Sequence, residues 1–239
     1  MAMSTTLRCL IAALPLLFGV AAKAEVSVQG TRVIYPAGQP EVAVVLKNEG
    51  QRASLIQAWV ADGGIEQKAE ASRAPFVLDK PLFRLDAGQS QVLRVRGLPE
   101  RAPKGDLEHL YWLNVMDVPP RETTTGENTV QLAIRFRMKV FYRPAGLGAP
   151  ENPAAKVRFN QTQDALTLHN DSRHYFNVAE MTLVSAAGER PLDSFYLAPG
   201  ETKTLAYPAG YTGPLTAVRY SWVDDDGILH QENPVIKRP

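Results

Sequence analysis

Few of the side chains able to carry chemistry stand in a pattern that does. The histidines are His109, His169, His174 and His230, and none has the H-x-x-x-H spacing that brings two imidazoles to one metal. Asp224-Asp225-Asp226-Gly227 has the composition of a calcium turn. It lacks the D-x-[DN]-x-[DN]-G order and the later glutamate, so it reads as an acidic hairpin turn. There is no G-x-S-x-G, no phosphate-binding P-loop and no G-x-G-x-x-G. The carboxylates show no pairing of the kind glycoside hydrolysis needs. Asn160-Gln161-Thr162 and Asn170-Asp171-Ser172 match the glycosylation sequon, a pattern common by chance. No catalytic residue, metal ligand or cofactor is expected.

The patterned charges are Arg135, Arg137 and Lys139, inside TVQLAIRFRMKVFYRP (129–144). They alternate with Val130, Leu132, Ile134, Phe136 and Met138, which is the period of a β-strand. From Val130 to Met138 the stripe would span roughly 30 Å at about 3.3 Å per residue, more than an ordinary strand. The plain reading puts the apolar face in the core of its own domain. The length and the basic row leave two others. The strand is an edge guarded by cations against indiscriminate pairing, or an edge kept open for one partner by strand addition.

The elements around this strand read as β throughout. TRVIYP, EVAVVLKNEG, SLIQAWVADGG, PFVLDKPLFRLDAG, QSQVLRVRGL and HLYWLNVMDVPP are short apolar or alternating runs bounded by Gly, Pro, Asn or Asp. About seven strands at this spacing predict an immunoglobulin-type sandwich over 25–145. RPAGLGAPENPA (143–154) reads as a linker. The β signals then resume, from AKVRFNQ to PVIKRP, and predict a second, smaller sandwich over 146–239. The two halves show no clear internal repeat.

Residues 1–24 stand apart. Arg8, the apolar run CLIAALPLLFGVAA and the small-residue site Ala22-Lys23-Ala24 read as a cleavable signal peptide, too short for an ordinary membrane anchor. No other run is apolar enough to span a bilayer. The only cysteine, Cys9, falls in this segment, so the mature chain has neither disulfide nor thiol chemistry. Without Arg8 and Lys23, 24 basic residues face 25 acidic ones, a balance that gives no support to nucleic-acid binding.

Several of these runs, in this order, resemble the PapD-like periplasmic chaperones of the chaperone–usher pathway. LEHLYWLNVMDVPP (107–120) and LAIRFRMKVFYRP (132–144) carry the resemblance most specifically. GTRVIYPAGQPEVAVVLKNEG (30–50), QAWVADG (57–63) and LTLHNDSRHYFNV (166–178) extend it over the whole mature chain. The resemblance implies an all-β fold of two immunoglobulin-like sandwiches in an L or boomerang. It implies pilin (fimbrial) subunits as clients, each lacking its last strand, and an outer-membrane usher that receives them. Val130, Leu132, Ile134, Phe136 and Met138 would fill the client's groove as a donor strand. Arg32 and Lys139 match the family's cleft residues and would grip the client's C-terminal carboxylate. Glu108, Arg143 and Asp225 match its interdomain ionic contacts. The connection RETTTGENT (121–129) is similar to the short-loop subclass. A self-capping dimer through the free strand is a further expectation. The competing readings are a secreted pilus subunit or other adhesive sandwich and, more remotely, a carbohydrate-active enzyme on a β scaffold.

Overall fold

The computed structural model describes residues 25–120, 132–207, 214–234 and 236–237. The signal-peptide reading (1–24), the connection 121–129 and Val130 lie outside the described residues. Among the described residues the first domain has nine strands: β1 (Val26–Val28), β2 (Arg32–Pro36), β3 (Glu41–Asn48), β4 (Ser54–Ala61), β5 (Phe76–Leu78), β6 (Leu82–Leu85), β7 (Ser90–Gly97), β8 (His109–Val118) and β9 (Ile134–Arg143). They form two sheets, β1-β3-β7-β5 and β2-β9-β8-β4-β6. The alternating residues of the facing strands close a core that includes Val33, Leu46, Ile56, Leu93, Leu113, Val115 and Val140.

The second domain holds β10 (Val157–Gln161), β11 (Ala165–Asn170), β12 (Phe176–Ser185), β13 (Gly188–Leu192), β14 (Phe195–Leu197), β15 (Thr202–Ala206), β16 (Leu215–Val223), β17 (Leu229–Glu232) and β18 (Ile236–Lys237). Its sheets run β15-β11-β10-β18 and β13-β12-β16-β17, with β14 also paired to β12. Phe159, Leu168, Phe176, Met181, Leu183, Val218 and Tyr220 fill the space between them. The all-β, two-sandwich expectation is met.

Two local differences from the sequence reading have clear causes. Arg143 and Leu147 are buried rather than part of a free linker, because Arg143 ends β9 and Leu147 is closed into a turn by its N–H to the Pro144 carbonyl. The two domains also share a repeat that side-chain identity hides. At the ends of β3 and β11 stand Asn48 and Asn170, both fully buried. Each accepts the N–H two residues on (Gly50, 2.9 Å; Ser172, 3.0 Å). Each donates to the carbonyl four residues on (Arg52, 2.7 Å; His174, 2.8 Å) and to a distant one (Leu85, 3.0 Å; Leu197, 3.3 Å). One amide thus satisfies a corner in both sandwiches.

Gly97 is required where β7 passes Tyr35. The Tyr35 hydroxyl donates to the Gln39 carbonyl and accepts the Gly97 N–H, both at 2.8 Å. A Cβ on Gly97 would sit 2.7 Å from that oxygen. This pin holds β2 against β7 and fixes where β2 ends.

Candidate functional site: the cleft beside an open strand edge

β9 is paired on one side by β8 along almost its whole length, from Ile134 opposite Asp117 to Tyr142 opposite His109. On its other side lies β2, in parallel, but only from Lys139 to Arg143. Arg32 opposite Lys139 is the first pair of that ladder. From Ile134 to Met138 this edge of β9 has no strand partner among the described residues.

The apolar stripe expected as one donor surface divides. Leu132 is 70% exposed and Ile134 38%. Phe136 is half-buried and packs on the first core, and Met138 is only 7% exposed and belongs to it. The donor assignment of Met138 is therefore corrected, since it already fills its own domain. Phe136 stands at the transition. The first core thus takes up the stripe only at its downstream end.

The basic face also resolves. Residues in register on neighbouring strands share a face, so Arg32, Lys139 and Trp112 stand in one row across β2, β9 and β8. Arg137 stacks on the Trp112 ring with its guanidinium carbon 3.9 Å from the centroid, and donates to the Gly63 carbonyl at 2.7 Å. It braces the sheet surface. Lys139 and Arg32 instead reach the second domain. Lys139 Nζ donates to Asn177 Oδ1 at 2.6 Å, and Arg32 Nη1 to the Val223 carbonyl at 3.0 Å. Burial, and secondarily the charge of Arg32, pushes the Lys139 ammonium down to about 8. Burial likewise lowers Arg32, against the opposing charges of Asp225 and Asp224. Two partly desolvated cations thus stand side by side, and Lys139 lines a trough of about 560 Å³ with Trp112, Phe195, Tyr196, Glu201 and Lys203.

The three residues expected at the domain junction meet there. The Arg143 guanidinium donates to Glu108 Oε1 through Nε (3.0 Å) and Nη2 (2.8 Å). Its Nη1 and Nη2 also donate to Asp225 (2.9 and 3.0 Å). The other Glu108 oxygen accepts the Tyr175 N–H at 2.8 Å. Burial pushes the Glu108 carboxyl above its ordinary value, while the Tyr175 N–H and Arg143 pull against it. Burial works against the Arg143 charge too, but Asp225 and Glu108 more than offset it and hold the guanidinium above its ordinary value. The acidic turn serves the junction and itself. Asp224 Oδ1 accepts the Asp226 and Ile228 N–H groups, and Oδ2 lies 2.6 Å from His230 Nε2. Gly227 has φ +82°, and a Cβ there would lie 2.7 Å from the Thr31 hydroxyl, so this turn can approach Arg32 only as glycine.

Trp112, Asn177 and Tyr196 were not singled out from the sequence. Trp112 and Asn177 sit inside quoted runs with nothing to mark them, and Tyr196 reaches the cleft only because β14 folds back onto β12.

Comparison with known proteins identifies the family. Residues 25–148 match the family model of the pili and flagellar-assembly chaperone PapD N-terminal domain, and 152–234 that of the PapD C-terminal domain. The chain is 39% identical to the chaperone protein FimB/FhaD of Bordetella pertussis, over 87% of this chain and 86% of that one. It is 34% identical to the chaperone protein FimC of Escherichia coli, over 87% and 83%. Among solved structures, the Pseudomonas aeruginosa CupB2 chaperone superposes with a TM-score of 0.74 at 27% identity, covering 88% of this chain and 100% of that one. A chain from the complex of Salmonella enterica SafA pilin with the SafB chaperone gives 0.74 at 30% identity, over 90% and 98%.

Proposed function

The chain belongs to the PapD family of pilus-assembly chaperones, binding proteins rather than enzymes, and from that premise we propose how its open edge and paired cations hold a client. The protein is a chaperone of fimbrial subunits. Its client is a pilin whose sandwich lacks a strand and exposes an apolar groove. Leu132, Ile134 and, in part, Phe136 enter that groove, with Val130 extending the set upstream. The client's last strand pairs with β9 from Ile134 to Met138, and its terminal carboxylate stops between Arg32 and Lys139.

The observation that carries this reading is that β2 begins only at Arg32, so that β9 is unpaired on that side upstream of Lys139 among the described residues. The incoming strand continues the line of β2 and ends beside Lys139, so it runs parallel to β9. Backbone hydrogen bonds give affinity that tolerates different subunits, and the cation pair sets the register. Arg supplies a fork of donors and Lys a point charge.

The rest of the cycle belongs to the same proposal. The signal-peptide character of 1–24 supports a periplasmic mature chain, which hands its complex to an outer-membrane usher. The sequence of 121–129 supports the short-loop subclass. Without a client, the same edge caps a second copy. Fimbrial subunits as clients, rather than a role as subunit, fit the two-domain match over nearly the whole chain. Co-expression with a pilin subunit tests the core of the reading. A soluble one-to-one complex is expected, with the pilin aggregated or degraded when expressed alone. A pilin equally soluble in the absence of this protein would overturn it.

A further inference from the structure

Lys139 is held from the second domain by two residues that are themselves a pair. Asn177 on β12 stands opposite Tyr196 on β14. Asn177 is buried and accepts from Nζ at 2.6 Å. The Tyr196 ring centroid lies 5.2 Å from the same Nζ. Tyr196 packs edge-on against Tyr175 at 5.7 Å, and Tyr175 meets Phe141 at 5.8 Å, two residues along β9 from Lys139. The ring is therefore oriented from both domains.

We propose that Asn177 and Tyr196 are positioning residues that hold the Lys139 ammonium extended, charged and partly undonated for the client's terminal carboxylate. This rests on the reading of Lys139 as that carboxylate's anchor. An ammonium has three N–H donors on a flexible stem. Asn177 takes one and fixes the stem, leaving two for the client. Tyr196 presents a π face, which attracts the cation without taking a donor. Both partners are neutral. A carboxylate at position 177 would hold the lysine equally well but would neutralise it and compete with the client. Accepting from the charged form also favours that form against the desolvation that lowers it. The charged groups facing Lys139 from elsewhere are Arg32 on β2, which opposes its protonation, and Glu201 and Lys203 across the trough. Those last two lie 3.5 Å apart and pair with each other. The second domain thereby sets how strongly the first domain's cation discriminates a chain end from an internal peptide.

The test uses a synthetic peptide copying the last strand of a pilin subunit, made with a free or an amidated C-terminus. Its binding to the full chain is measured by calorimetry at pH 7. The wild type is expected to favour the free carboxylate at least tenfold. Asn177→Ala should cut that preference about tenfold while leaving the amidated peptide's affinity unchanged. Asn177→Asp, which keeps shape and acceptor, should fail to restore the preference, whereas a merely structural role would be rescued by it. Tyr196→Phe should retain the preference and Tyr196→Leu reduce it. An undiminished preference in Asn177→Ala, an equal loss for both peptides, or full rescue by Asp would each overturn the proposal while leaving the anchor reading intact. A wild type that binds both peptides equally would overturn the anchor reading itself.

Discussion

Lys139 stands opposite Arg32 at the pair where the parallel β2–β9 ladder begins, and the edge of β9 upstream of them is open among the described residues. Neither residue holds the first core together, since both project from the outer face of their sheet. Arg32→Ala and Lys139→Ala are therefore expected to leave the first domain folded, with a cooperative melting transition. Each removes a charge-assisted contact worth about 1.5–3 kcal/mol, so client affinity should fall by roughly tenfold to a hundredfold. Co-purification with a pilin alongside thermal melting of the free protein checks both halves. Retained capture in both variants would remove the anchor.

The same lysine gives capture a pH limit. Its folded-state value is depressed to about 8 from 10.5 by burial and by Arg32. Between those values the unfolded chain binds more protons than the folded one, so this group makes stability rise with pH across that window. Client binding moves the other way, because the ammonium is lost as pH passes about 8. Affinity for a free-carboxylate peptide should weaken from pH 7 to 9 while the chaperone's denaturation midpoint shows no loss from this group. Lys139→Ala should flatten the affinity profile over that range.

Leu132 and Met138 belong to one stripe but to different environments, and substitution should separate them. Leu132 is 70% exposed, so Leu132→Asp should alter stability by less than about 0.5 kcal/mol while weakening client capture. Met138 is 7% exposed, and Met138→Ala should cost about 2–5 kcal/mol of stability. Chemical denaturation and pilin co-purification on the two variants give opposite patterns if the division of the stripe is right.

That division marks how far the sequence could be read. Within β9 the alternation separates the apolar from the basic face from Ile134 to Lys139, because period two is local. Where the apolar face leaves the core depends on what packs against it, which is a tertiary fact. The ionic group was legible at Glu108, Arg143 and Asp225 through resemblance, and the structure places the contact on Asp225 of the three consecutive aspartates. Asn177 and Tyr196 were invisible, since their meeting depends on the pairing of β14 with β12 and on how the domains dock. The shared corner of Asn48 and Asn170 leaves no internal repeat in the sequence because two matched asparagines carry it, not a repeated run.

Arg143 is the residue whose loss the fold should tolerate least at the junction. Its side chain and that of Glu108 are 7% and 2% exposed, whereas Asp225 is 32% exposed. Removing the guanidinium by Arg143→Ala leaves a buried carboxylate with only the Tyr175 N–H, a situation that costs about 3–5 kcal/mol. Asp225→Ala leaves Arg143 still doubly bonded to Glu108 and should cost about 1 kcal/mol or less, the scale of a solvated pair. Because Asp225 is the contact from the second domain's turn, its loss should nonetheless loosen that turn and slightly weaken capture at the neighbouring Arg32. The double change Glu108→Gln with Arg143→Met removes the buried charges together and should recover much of the stability lost in Arg143→Ala. Equal destabilisation by Arg143→Ala and Asp225→Ala in urea titrations would show that the buried carboxylate is not what makes Arg143 necessary.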